Sequence, residues 1–133
     1  DVPNVNFSSV LNLPSSDFQK IIRDLSCISE KIEIKSVATA EGAELIFKCT
    51  GGFAEAEVRR AESDNGMEYL VKQNVNKIIQ GEFSLKNLGY FIKCTNLCNQ
   101  IEMYLENDLP LIVKYNVASL GEIKLCLAPL PSS

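Results

Sequence analysis

The chain has 133 residues, 46% apolar and 23% charged, which suits one compact domain and excludes disorder, coiled coil and collagen-like repeats. Thirteen basic against seventeen acidic residues leave a net charge of −4; binding to nucleic acid through bulk positive charge is excluded, and any such contact needs a local basic face. There is no His, so a Ser-His-Asp or Cys-His couple and every His-containing zinc site are out of reach.

Residues 8–13 read as a short strand. Pro14 then opens a helix, with Ser15 or Ser16 as N-cap and Gln19 completing a weak capping box. Phe18, Ile21, Ile22, Leu25 and Ile28 recur at helical spacing as one apolar stripe, while Lys20 and Arg23, three apart, share the wetter face. The period then changes to two. KIEIKSV places Ile32, Ile34 and Ser36 on one side, AELIFKCT follows a turn at Glu41-Gly42, and AEAEVRRA alternates small or apolar with charged residues. A turn at Ser63-Asp64-Asn65-Gly66 closes this unit.

After that turn the pattern recurs. MEYLVKQNV reads as a strand and residues 85–97 as a second helix, with Leu85, Leu88, Phe91 and Ile92 on one face and Lys86 and Lys93 on the other. Three further strands follow: QIEMYLE, PLIVKYNVA and GEIKLCLA. The order strand, helix, three strands therefore occurs twice. Two such βαβββ units, at about residues 8–61 and 67–129, predict an α+β fold with two adjacent helices on one face of curved antiparallel sheets. A generic two-helix α+β sandwich is the plain alternative.

The opening DVPNVNF lacks the basic start and apolar middle of a secretory signal and has no initiator Met, so a processed chain or a piece of a longer protein is expected. No apolar run approaches the roughly 18 residues that span a bilayer, and no membrane partner is predicted. Five cysteines, an odd number, argue against a disulfide framework. They are expected to be buried reduced thiols of a cytosolic or nuclear protein. Cys94 and Cys98 lie four apart, but without a second pair at ligand spacing no metal or other cofactor is predicted.

Three blocks carry a resemblance. LPSSDFQKIIRDLSCISEKIEI, FSLKNLGYFIKCTNL and LPLIVKYNVASLGEIKLCLAPL occur in this order over almost the whole chain. They resemble the C-terminal domain of proliferating cell nuclear antigen, the DNA sliding clamp, through its Arg-Asp-Leu-Ser segment, its second helix and its Pro-Leu-x-Val-x-Tyr and Leu-Ala-Pro ending. The resemblance implies the duplicated βαβββ fold, with residues 1–7 as the end of an interdomain connector and residues 8–133 as the domain. It implies a nuclear, non-enzymatic processivity factor of DNA replication and repair. In full-length form that factor is a homotrimeric ring around duplex DNA, placed by a clamp loader and tethering a DNA polymerase and other partners.

Residue by residue, the resemblance assigns three surfaces. Lys20, Arg23, Lys86 and Lys93 would meet DNA phosphates without reading sequence. Their plain alternative is a solvated helix face, and Asp24 beside Arg23 leaves helix 1 nearly neutral. Val2, Pro3, Phe7, Pro110, Cys126, Leu127, Ala128 and Pro129 would form a groove for partner peptides ending in paired aromatics. The alternative is that Leu127 and Ala128 end a core strand. The family usually has an aromatic where this chain has Cys126. Phe53, Ala54, Glu55, Ala56, Glu57 and Val58 match the strand that pairs with a neighbouring subunit; Glu55 and Glu57 could equally blunt a free edge. The family's modified lysine has no counterpart in VATAEGAE, so regulation there is not carried over. Competing readings are a checkpoint-type clamp subunit, a stand-alone protein-interaction domain, and a small enzyme with Cys27 or Cys94 as nucleophile, for which no base is in view.

Overall fold

The computed structural model describes residues 7–93, 98–117 and 121–131. In chain order the elements are β1 (Ser9–Pro14), α1 (Ser15–Leu25), β2 (Lys31–Thr39), β3 (Gly42–Thr50), β4 (Glu55–Ala61), β5 (Glu68–Val71), β6 (Ile78–Ser84), α2 (Leu85–Ile92), β7 (Gln100–Leu105), β8 (Leu111–Val117) and β9 (Gly121–Leu127). A single 3₁₀ turn, Asp64–Gly66, separates β4 from β5.

All strand pairs are antiparallel and fall into two sheets, ordered β5-β1-β7-β8-β9 and β4-β3-β2-β6. The strand leading into each helix sits in the other unit's sheet: β1 pairs with β7, and β6 pairs with β2. This exchange locks the two βαβββ units together and brings the helices side by side. Gln19 Nε2 donates to the Ile92 carbonyl at 3.3 Å between them. The buried stripes are Phe18, Ile21, Ile22 and Leu25 on α1 and Leu85, Leu88 and Phe91 on α2. They meet the inward residues of both sheets, among them Leu11, Leu13, Ile32, Ile34, Leu45, Phe47, Ile101, Met103 and Val113, in one core.

Several expectations are corrected. Neither Ser15 nor Ser16 caps α1. The N-cap position is Pro14, and Ser15 instead donates its hydroxyl to the Cys98 carbonyl at 2.6 Å and its N–H to Asn99 at 3.0 Å, extending the β1–β7 pairing into the first turn. Ser84 does cap α2, accepting from the Asn87 N–H at 3.2 Å. The strand read at 67–75 is only Glu68–Val71 and belongs to the edge beside β1; the strand that feeds α2 is β6. Gly81 hid it from the sequence pattern. A Cβ there would lie 2.9 Å from the Phe83 ring, so an absent side chain makes room for an inward aromatic two residues on. The second helix is described only to Ile92, and residues 94–97 of the expected helix, Cys94 among them, lie outside the described residues. The cysteines are not uniformly buried: Cys49 is, Cys98 is partly so, and Cys27 and Cys126 are exposed. Burial pushes the Cys49 and Cys98 thiols above their ordinary range.

Between the sheets lies a buried polar cluster. Ser36 Oγ is 3.2 Å from Ser9 Oγ and 2.8 Å from the Tyr69 hydroxyl, and Gln73 Nε2 donates to the Ser36 carbonyl at 2.7 Å. Ser36 does face inward, as its alternation predicted. Its partners come from β1, β5 and the chain after β5, so their sequence positions gave no hint of the contact.

Candidate functional site

The helix face comes first. Lys20 and Arg23 on α1 and Lys86 and Lys93 at the two ends of α2 are all exposed, and α1 and α2 pack against each other. Lys20 ion-pairs with Asp24 at 3.4 Å, but both side chains are well exposed, so the pair is weak. The other carboxylate of α1, Asp17, is withdrawn. Arg60 on β4 holds it bidentately, Nε at 2.8 Å from Oδ2 and Nη2 at 2.9 Å from Oδ1. This hydrogen bond also raises the Arg60 pKa. The outward charge of the paired helices is thereby left positive, which the near-neutral sequence of helix 1 did not suggest.

Lys86 stands in the first turn of α2, where no acidic residue accompanies it. A cation at a helix N-terminus opposes the helix dipole unless an anion is at hand. It shares a hollow of about 560 Å³ with Ser26, Ser29, Glu30 and Lys31, between the end of α1 and the start of α2, so one carboxylate stands among its two cations. Sequence reading missed Lys31, because the first residue of a strand belongs to no helical charge pattern. Lys93 follows the last turn of α2 with its ammonium 5.6 Å from the Tyr90 ring centroid.

The expected peptide groove maps onto the face of sheet β5-β1-β7-β8-β9 that points away from the core. Alternation along β8 and β9 puts Pro110, Ile112, Cys126 and Ala128 on that face, with Cys126 directly across from Ile112. Phe7 packs edge-on against Tyr104 of β7, ring centroids 5.6 Å apart, so it reaches the same surface. Ser8, next along, is held by Glu106, which accepts from its N–H and hydroxyl and from Lys77. Leu127 is different: it is buried in the core and contributes only backbone at the edge, because its parity is opposite to that of Cys126. Pro129 lines a separate cleft of about 650 Å³ over β6, with Ile78, Glu82 and Asp108. Val2 and Pro3 lie outside the described residues.

The expected subunit edge is a true sheet edge, shifted in register. Phe53 and Ala54 precede the strand, in a turn closed by the Gly51 N–H donating to the Ala54 carbonyl at 2.8 Å, and the strand runs from Glu55 to Ala61. Phe53 is fully exposed. The two edges of this sheet are treated differently. On β6, the Asn107 amide accepts from Gln80 N at 2.9 Å and donates to the Ile78 carbonyl at 3.0 Å, and Leu130 N donates to Glu82 at 2.8 Å. A side chain and the C-terminal segment thus cover that edge. On β4, β3 is the only pairing partner among the described residues. An open edge beside a covered one is a ready template for another strand.

Two interlocked βαβββ units, paired helices with outward cations and an uncovered edge at β4 define a clamp-type architecture. The chain belongs to the family of the proliferating cell nuclear antigen C-terminal domain, whose model matches residues 1–130. It is 36% identical over 129 residues to a "Probable DNA polymerase sliding clamp" of Acanthamoeba polyphaga mimivirus, covering 97% of this chain and 26% of that protein. It is 31% identical over 132 residues to "Probable DNA polymerase sliding clamp 1" of Paramecium bursaria Chlorella virus 1, covering 99% of this chain and 49% of that protein. The chain thus spans about half of one of these relatives and about a quarter of the other.

Proposed function

We propose that the chain is the C-terminal domain, residues 8–133 following a connector end at 1–7, of a DNA sliding clamp. The full-length protein is a non-enzymatic processivity factor that closes as a homotrimer around duplex DNA in the nucleus, is placed there by a clamp loader, and tethers a DNA polymerase. The observation that carries this reading is the pair of adjacent helices whose outward cations, Lys20, Arg23, Lys86 and Lys93, are exposed while Asp17 is neutralised by Arg60. Such cations meet phosphates without reading bases, which suits a protein that must slide. Encirclement removes the need for tight grip, so a net charge of −4 is no obstacle. The uncovered β4 edge supports pairing with a neighbouring subunit. Phe7, Pro110, Cys126 and Ala128, on one outward face, support capture of partner peptides, while Pro129 lines a separate cleft over β6.

The test is made in the full-length protein. Alanine at the four cations should shorten the DNA synthesised per binding event by the partner polymerase on a primed circular template, most strongly at low salt, where phosphate contacts are least screened, while peptide binding is unchanged. Undiminished product length in the quadruple variant refutes the assignment of the helix face.

A further inference from the structure

We propose that the outward stripe of α2 is a stacking site for an unpaired nucleotide, built on the ring of Tyr90, so that the helix face takes single-stranded DNA as well as duplex; this rests on the helix-face reading above. Lys86, Gly89, Tyr90 and Lys93 stand at i, i+3, i+4 and i+7 and so share one side of the helix. The opposite side, Leu85, Leu88 and Phe91, is buried in the core. Tyr90 is 57% exposed between the two cations. Duplex phosphates need the cations but give the ring nothing to stack on, because paired bases are already stacked on one another. An unpaired base offers its flat face, and rings set among cations hold single strands without reading sequence.

Two features of the stripe fit that occupant. The Lys93 ammonium lies 5.6 Å from the Tyr90 ring centroid, so a cation steadies the ring on one side and a base stacks on the other. Gly89 is the second. Glycine inside a helix is less stable than alanine. A Cβ at Gly89 would meet nothing within 4 Å, so packing does not call for glycine there. Its bare backbone lets a flat ligand approach the helix beside Tyr90.

The charges complete the site. At 1.5 Å per residue, Lys86 and Lys93 stand roughly 10 Å apart along the helix axis. Two lysine arms across that span reach the phosphates on either side of one stacked nucleotide. Carboxylates do not compete with those phosphates. The helix α2 carries none, and on α1 Asp17 is held by Arg60 and Asp24 by Lys20. Glu30 stands in the hollow at the Lys86 end of the stripe, away from the ring.

The experiment is fluorescence anisotropy on the full-length protein at low salt, with a labelled oligothymidylate and a labelled duplex of the same length. Tyr90→Ala should weaken the oligothymidylate at least about fivefold and the duplex less than about twofold, whereas Tyr90→Trp should keep both. Gly89→Gln puts a good helix former into open space, so it should raise the melting temperature and still weaken the oligothymidylate at least about threefold. That loss cannot come from unfolding. Lys86→Ala combined with Lys93→Ala should weaken both DNAs and reduce their salt dependence. No binding of either DNA to the unaltered protein overturns the helix-face reading and this inference together. Duplex binding without single-strand binding, single-strand binding that survives Tyr90→Ala, or an equal loss on the duplex overturns the stacking site while leaving the helix face.

Discussion

Arg60→Met tests how the fold makes the helix face positive. The substitution keeps an apolar stem under α1 and removes the guanidinium that grips both oxygens of Asp17. The two side chains are 22% and 16% exposed, between the surface and buried limits. Exposed pairs contribute up to about 1 kcal/mol and broken buried pairs cost about 3–5 kcal/mol, which puts this loss on the order of 2 kcal/mol. For a domain of this size that lowers the melting temperature by about 7 °C. A double-mutant cycle with Asp17→Asn, read by urea unfolding, should give a coupling of about 1–2 kcal/mol, since Asp17→Asn removes the stranded charge. The same pair has a second readout. Arg60→Met frees a carboxylate on the helix that carries Lys20 and Arg23, so stimulation of the polymerase on DNA should fall, and Asp17→Asn in that background should restore it. Coupling below about 0.5 kcal/mol, or stimulation unaffected by freeing Asp17, refutes the argument.

Three further outcomes follow from the packing. Burial pushes the Tyr69 pKa up to about 12, so its hydroxyl stays protonated in the folded chain after it would ionise in the unfolded one; stability should therefore hold up to about pH 10 and decline by roughly 2–3 kcal/mol between pH 10 and 12, and Tyr69→Phe should flatten that decline in urea titrations while costing about 1 kcal/mol at neutral pH. A Cβ at Gly51 would lie 2.1 Å from the Ile28 carbonyl oxygen, backbone that no rotamer can move aside, so Gly51→Ala should cost about 1–3 kcal/mol in thermal unfolding, and an unchanged melting temperature would show the approach to be soft. Under native conditions a thiol reagent followed by mass spectrometry should label Cys27 and Cys126 quickly and Cys49 only on unfolding; fast labelling of Cys49 would contradict its burial.

Much of the fold is legible in the chain because its elements are strongly periodic. The stripe Phe18, Ile21, Ile22 and Leu25 requires an amphipathic helix, and the alternation of Ile32, Ile34 and Ser36 requires a strand with one buried face. The doubled order of strand, helix and three strands is likewise readable, and so are the four helix cations. Where local pattern is weak the reading slips. Gly81 interrupts β6, so the sequence pattern shows β5 and passes over the strand that feeds α2, and Ser15 satisfies its hydroxyl across to Cys98 rather than capping its own helix.

The sequence by itself determined the alternating and helical faces, the absence of histidine chemistry and the family, because these depend on residue type and spacing along the chain. Tertiary structure alone decided that β1 and β6 exchange sheets, that Arg60 reaches 43 positions back to neutralise Asp17, that Leu127 points inward while Cys126 points out, and that Tyr104 shares a row with Cys126. Each of these is set by register between distant strands. A one-residue slip would turn every side chain of a strand to the opposite face, and only the packed core fixes which register is kept.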